Sequence, residues 1–65
     1  MEEIEFTYSE GICKIFYNGE LKYQLRVPRS VLLEWRKILL DRGYSIQSES
    51  DSHNNYYVKY VKSWF

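Results

Sequence analysis

The sequence predicts a small α+β domain, in which an antiparallel sheet of four to five strands carries a single helix on one face. Three observations predict this fold. Only residues 29–42 have helical periodicity, strand-like alternation lies on both sides of them, and Asn18-Gly19 is the dipeptide most typical of a tight β-hairpin turn. The predicted order of elements is β-β-β-α-β-β.

The length, charge and composition of the chain restrict the classes of protein to which it can belong. Its 65 residues predict one domain, 1–65, and a domain this small buries only about 60% of its unfolded surface, which makes oligomerisation useful. The net charge of zero argues against a general polycation, although Lys and Arg are concentrated within residues 22–42. A single cysteine, an acidic N-terminus and the lack of a long apolar run predict a cytoplasmic protein without membrane association.

Three strands are expected before the helix, at 3–8, 12–17 and 20–27. A two-residue turn at Asn18-Gly19 pairs Phe16 with Leu21. The core face would then carry Ile12, Phe16, Leu21, Tyr23 and Leu25, with Lys14 reaching out from it, and the polar face would include Cys13, Ile15 and Tyr17. At the first turn, a three-residue loop with Gly11 left-handed keeps one continuous core face, whereas a two-residue loop does not, so we expect the three-residue loop.

The helix is expected to begin near Pro28 or Ser30 and to end before a left-handed Gly43. Its core-facing stripe is predicted to be Val31, Leu32, Trp35, Ile38 and Leu39. We expect Trp35 to be buried against Phe6, Phe16, Leu21, Leu25 and Val58.

Leu33 and Leu40 form a second apolar strip, on the side of the helix away from this stripe. A chain segment such as the C-terminal Trp64-Phe65 could cover the strip, the strip could bind a protein partner or a second copy in a twofold homodimer, or the two leucines could simply be exposed. The predicted interface residues are Leu33, Arg36, Lys37, Leu40, Trp64 and Phe65.

After the helix, we predict a strand at 44–48, a polar loop at 47–55 and a strand at 56–65. The last strand interleaves aromatic residues with lysines, which is typical of a guarded edge strand but also of surfaces that stack bases and bind phosphates. The candidate nucleic-acid contacts are Arg36, Lys37, Tyr57, Lys59 and Lys62.

Residues 33–57 run helix, Gly-Tyr, strand, Asp-Ser-His-Asn-Asn-Tyr-Tyr, strand. This segment resembles the helix–β–β part of HicA-type toxins, RNA-cleaving proteins with a double-stranded-RNA-binding-domain fold and a Gly-Ser-His motif. The resemblance implies a catalytic role for His53. Asp51 stands where that family has glycine, and the family has no three-stranded N-terminal meander.

No catalytic residue, cofactor or metal site is predicted from the residues themselves, because the chain has one histidine and one cysteine. The first hypothesis is therefore a non-enzymatic protein-interaction module: a regulator, inhibitor or adaptor of prokaryotic or phage type. The alternative is a nucleic-acid-binding protein that uses the basic 22–42 stretch and the C-terminal strand, and a HicA-like RNase is the third hypothesis.

Overall fold

The computed structural model describes residues 1–63, so the expectations for Trp64 and Phe65 lie outside the described residues. The predicted α+β class and element order are confirmed. The elements are β1 (Glu2–Ser9), β2 (Ile12–Tyr17), β3 (Glu20–Arg26), α1 (Arg29–Asp41), β4 (Ser45–Asp51) and β5 (Asn55–Lys62).

All five strands form one antiparallel sheet in the order β3-β2-β1-β5-β4, so β3 and β4 are its edges. The helix packs on one face, which we call the helix face, and the other face we call the open face. The buried core between helix and sheet consists of Phe6, Cys13, Leu32, Tyr56, Val58 and Tyr60. Five of these six residues lie on the three strands β1, β2 and β5, and Leu32 is the contribution of the helix.

Both N-terminal hairpins have two-residue turns with positive φ at each central residue, as a type I′ turn requires. The Asn18-Gly19 turn confirms the prediction, with φ values of 49° and 82°. The first turn is Glu10-Gly11, with φ values of 53° and 80°, and Ser9 pairs directly with Ile12. The predicted three-residue loop is therefore wrong, although Gly11 does have positive φ.

The predicted facing of β2 is also wrong. Phe6 pairs with Ile15 and Tyr8 with Cys13, which places Cys13 and Ile15 on the helix face, whereas Ile12, Lys14 and Phe16 lie on the open face. The cause is a β-bulge in β3: Phe16 pairs with Leu21 as expected, but Ile15 pairs with Tyr23. The extra residue, Lys22, reverses the alternation, so Tyr23 and Leu25 lie on the helix face while Leu21 lies on the open face.

Pro28 precedes the first helical residue, Arg29, and Gly43 follows the helix with φ 92°. Trp35 is partly buried, and its ring centroid lies 5.6 Å from that of Phe6. The expected burial of Trp35 against Phe16 and Leu21 is wrong, because those two residues lie on the other side of the sheet.

The strand β4 extends to Asp51, through residues that were expected to form a loop. Its acidic side chains on the helix face pair with arginines of the helix: Asp51 with Arg29, and Glu49 Oε2 with Arg36 Nε at 3.2 Å. The Tyr56 hydroxyl donates to the same Glu49 oxygen at 2.6 Å. Polar pairing with the helix therefore adds to the β5 ladder and to the packing of Ile46 in positioning this edge strand.

Candidate functional site

The single helix leaves part of the sheet uncovered. Five strands spaced about 4.8 Å apart span roughly 19 Å, whereas one helix with its side chains is only about 10–12 Å across. The ion pairs to β4 show that α1 lies toward the β5–β4 side. The helix face is therefore left uncovered toward β3, where every residue is exposed, and Ile15 of β2 is only partly buried, whereas Cys13 of β2 lies in the core.

An apolar groove occupies this uncovered region. Its volume is about 260 Å³, and its lining consists of Ile4, Phe6, Ile15, Tyr23, Trp35, Ile38 and Leu39. Tyr23 is 63% exposed and Ile38 is 46% exposed, although both are large apolar side chains. The groove thus has a sheet floor and a helix wall, and its apolar surface faces solvent.

The groove continues into a second depression of about 460 Å³, which shares Ile4, Ile15 and Tyr23 and adds Tyr17 and Lys22. The Tyr17 and Tyr44 hydroxyls both donate to Glu2 Oε2, at 2.9 Å and 3.0 Å. The hydrogen bond to Glu2 raises the pKa of Tyr17, and burial and the same carboxylate raise that of Tyr44. Polar groups therefore mark this end of the apolar surface.

The helix wall of the groove has an acidic rim. At 100° per residue, Glu34 and Asp41 project on the outer side of Ile38, on the half of the helix that faces the groove. Neither carboxylate forms an ion pair within residues 1–63, and neither does Lys37, which lies between them on the outer surface. Across the groove, Lys22 pairs with Glu20 at 3.5 Å.

Both edges of the sheet carry features that oppose pairing with another strand. The edge strand β3 has the bulge at Lys22, and β4 has a second bulge at Gln47 and carries Glu49 and Asp51. Bulges and charged side chains are the usual protection of edge strands against association. The exposed apolar side chains of the edge strand β3, such as Tyr23, thus project from a face of the sheet, while its backbone edge is protected.

The predicted interface residues are divided between two environments. Leu33 and Leu40 are 57% and 39% exposed on the side of α1 away from the groove, and Lys37 is exposed beside them. Arg36 is held by Glu49, and this hydrogen bond raises the pKa of its guanidinium. The sequence reasoning missed the groove residues Ile15 and Tyr23, because only the bulge brings them to the same face.

The candidate nucleic-acid contacts do not form one surface. Tyr57 and Lys59 lie on the open face, where the Tyr57 hydroxyl donates to Glu5 at 2.8 Å and Lys59 Nζ lies 3.4 Å from Glu3. Lys62 lies over the ring of Tyr44, 5.3 Å from its centroid, on the helix face. The other two candidates, Arg36 and Lys37, are on the helix.

His53 is exposed in the turn between β4 and β5, where the Ser52 amide and hydroxyl both donate to the Asn55 carbonyl. Cys13 is fully buried on the helix face, not on the polar face as expected, and burial raises the pKa of its thiol to about 11. In the described part of the chain, no three His, Cys, Asp or Glu residues come together as a metal site.

Comparison with protein families, with curated proteins and with solved structures found no match for this chain. Within residues 1–63, the helix is too short and too polar to cross a membrane.

Proposed function

We propose that this protein is a non-enzymatic protein-interaction module whose partner binds in the groove between α1 and the β2–β3 hairpin. The observation that carries the proposal is the exposure of Tyr23 and Ile38 in a lining made of aliphatic and aromatic side chains. Exposed apolar surfaces on small proteins typically mark sites of interaction, and aromatic side chains are enriched where partners bind most tightly.

The charge distribution favours a protein partner over nucleic acid. Of the five candidate nucleic-acid contacts, Arg36 and Lys59 are paired with carboxylates. A surface that binds phosphates needs cations that are free to replace counterions. The groove itself offers apolar area and an acidic rim, which would repel a phosphate backbone.

Self-association is a second form of the proposal, and the exposed Leu33 and Leu40 favour it. A standard interface buries about 800 Å² on each partner, which is more than two leucines supply. A homodimer would therefore need further contacts beside this strip. Light scattering over a range of concentrations tests it directly.

The test of the proposed function is affinity capture from cells of the source organism with the wild type and two matched variants. Ile38→Glu places a charge in the groove, and Leu33→Glu places one on the outer side of the same helix. We expect a protein captured by the wild type and by Leu33→Glu, resistant to RNase and to high salt, and lost with Ile38→Glu. Capture that depends on RNA, or that is unaffected by Ile38→Glu, would contradict the proposal.

A further inference from the structure

The groove beside α1 combines an exposed apolar floor with carboxylates along its helix wall. We infer that its occupant is an amphipathic helix that carries two basic residues seven positions apart on the side facing α1. This inference rests on the proposed function, because it specifies the partner of the same groove.

The sheet is wide enough for two helices side by side, since it spans about 19 Å and one helix with its side chains is about 10–12 Å across. The core under α1 includes residues of β1, β2 and β5, and the uncovered side is the one toward β3. A second helix beside α1 would contact the floor through Ile15 and Tyr23 and the wall through Trp35 and Ile38. It would complete the second layer that a five-stranded sheet needs to bury its helix face.

The edges of the sheet are unsuited to the alternative occupant, an added strand. An added strand would pair with β3 or β4, and both edges carry a bulge and charged side chains. Such a strand would also lie beside the sheet and leave the groove above it empty. A helix in the groove needs no sheet edge, so the apolar face is the surface that remains for docking.

The carboxylates on the groove side of α1 favour a partner with basic side chains. Glu34 and Asp41 lie on the groove side of α1, seven residues and about 10 Å apart along the helix axis. Neither carboxylate has an ion-pair partner among the described residues. A helix packed alongside α1 places residues of the same spacing opposite them, as in the flanking positions of helix pairs. Lys or Arg at those positions would pair with both carboxylates.

The test uses three synthetic amphipathic peptides of about 18 residues, which is long enough to favour helix formation. They share one Leu/Ala stripe and differ only at two flanking positions seven residues apart, which are Lys, Gln or Glu. Binding is measured by fluorescence anisotropy with labelled peptides. The site is located by NMR of the isoleucine methyl groups, with Ile15 and Ile38 in the groove and Ile12 on the open face as the internal control.

We expect the Lys peptide to bind most tightly and the Glu peptide most weakly, with shifts at Ile15 and Ile38 but not at Ile12. The double variant Glu34→Lys with Asp41→Lys changes two exposed residues that have no ion-pair partner within residues 1–63, so we expect it to fold. It should bind the Lys peptide about tenfold more weakly, as expected for two solvent-exposed ion pairs, and should prefer the Glu peptide.

Three results would overturn the inference: no binding of any peptide, equal binding of all three, or shifts centred on Ile12. Such a failure is distinguishable from failure of the proposed function. If Ile38→Glu still abolishes capture of the cellular partner, the groove is the binding site and only the helical, basic nature of its occupant is wrong. If Ile38→Glu has no effect on capture, the proposed function itself fails.

Discussion

Two buried tyrosines on the same face of β5 provide a matched test of the core. The Tyr56 hydroxyl donates to Glu49 at 2.6 Å. The Tyr60 hydroxyl is fully buried and forms no hydrogen bond of standard geometry within residues 1–63. Burial raises its pKa, and the nearby Tyr56 hydroxyl, too poorly placed to satisfy it, opposes that rise. Substitution of either residue by phenylalanine removes one hydroxyl and leaves the ring in place.

The two substitutions should have opposite effects on stability. A buried polar group without a partner costs about 1–3 kcal/mol, so Tyr60→Phe should stabilise the protein by about 1 kcal/mol. Tyr56→Phe removes a hydrogen bond to a carboxylate and should destabilise by about 1.5 kcal/mol, the low end for such bonds. We take the low end because the Glu49 side chain is 32% exposed to water.

Thermal unfolding followed by circular dichroism measures both effects, since about 1 kcal/mol shifts the Tm of a domain this small by about 4–8 °C. We expect a higher Tm for Tyr60→Phe and a lower one for Tyr56→Phe. If Tyr60→Phe destabilised the protein as much as Tyr56→Phe, the Tyr60 hydroxyl would have a partner and the reasoning would be refuted.

Three further predictions concern a turn, an ion pair and a thiol. Gly19→Val should destabilise by about 1 kcal/mol or more in urea unfolding, because φ is 82° there and β-branched residues avoid that region; an unchanged midpoint would contradict the I′ turn. Hydrogen bonds from Tyr56 and Arg36 lower the pKa of Glu49 in the folded protein. The ionised Glu49 therefore stabilises the fold above its ordinary pKa of 4.5, and this stabilisation is lost as the pH falls through its lowered folded-state pKa. The free energy of unfolding of Glu49→Gln should therefore fall less between pH 7 and pH 3 than that of the wild type, and equal losses would count against the pair. The Cys13 thiol, fully buried and with its pKa raised to about 11, should react with Ellman's reagent only as fast as the protein opens; rapid reaction under native conditions would show that it is accessible.

The element order could be predicted because the local signals agree with the fold. The Asn18-Gly19 turn, the single amphipathic helix and Gly43 as its terminator each act within a few neighbouring residues. The facing of β2 could not be predicted, because both of its sides are apolar and its phase depends on the bulge at Lys22. No residue pattern in β3 marks that bulge, since its alternation looks regular throughout.

The extent of β4 was missed for a different reason. Its residues Ser48–Asp51 lack apolar alternation, so sequence reasoning interpreted them as a loop. The signal that could have revealed the strand is the pairing of Glu49 and Asp51, two residues apart, with Arg36 and Arg29 on the helix. The groove could not be predicted for the same reason as the facing of β2. Ile15 and Tyr23, which both line the groove, were predicted to lie on opposite faces of the sheet.

The central claim, that the groove beside α1 binds a protein, is tested most directly by photocrosslinking. A benzophenone side chain replaces Tyr23 in the groove or, as the matched control, Tyr57 on the open face, and each protein is irradiated in an extract of the source cells. We expect a protein adduct from position 23 and none from position 57. An adduct from position 57 alone, or a nucleic-acid adduct from either position, would contradict it.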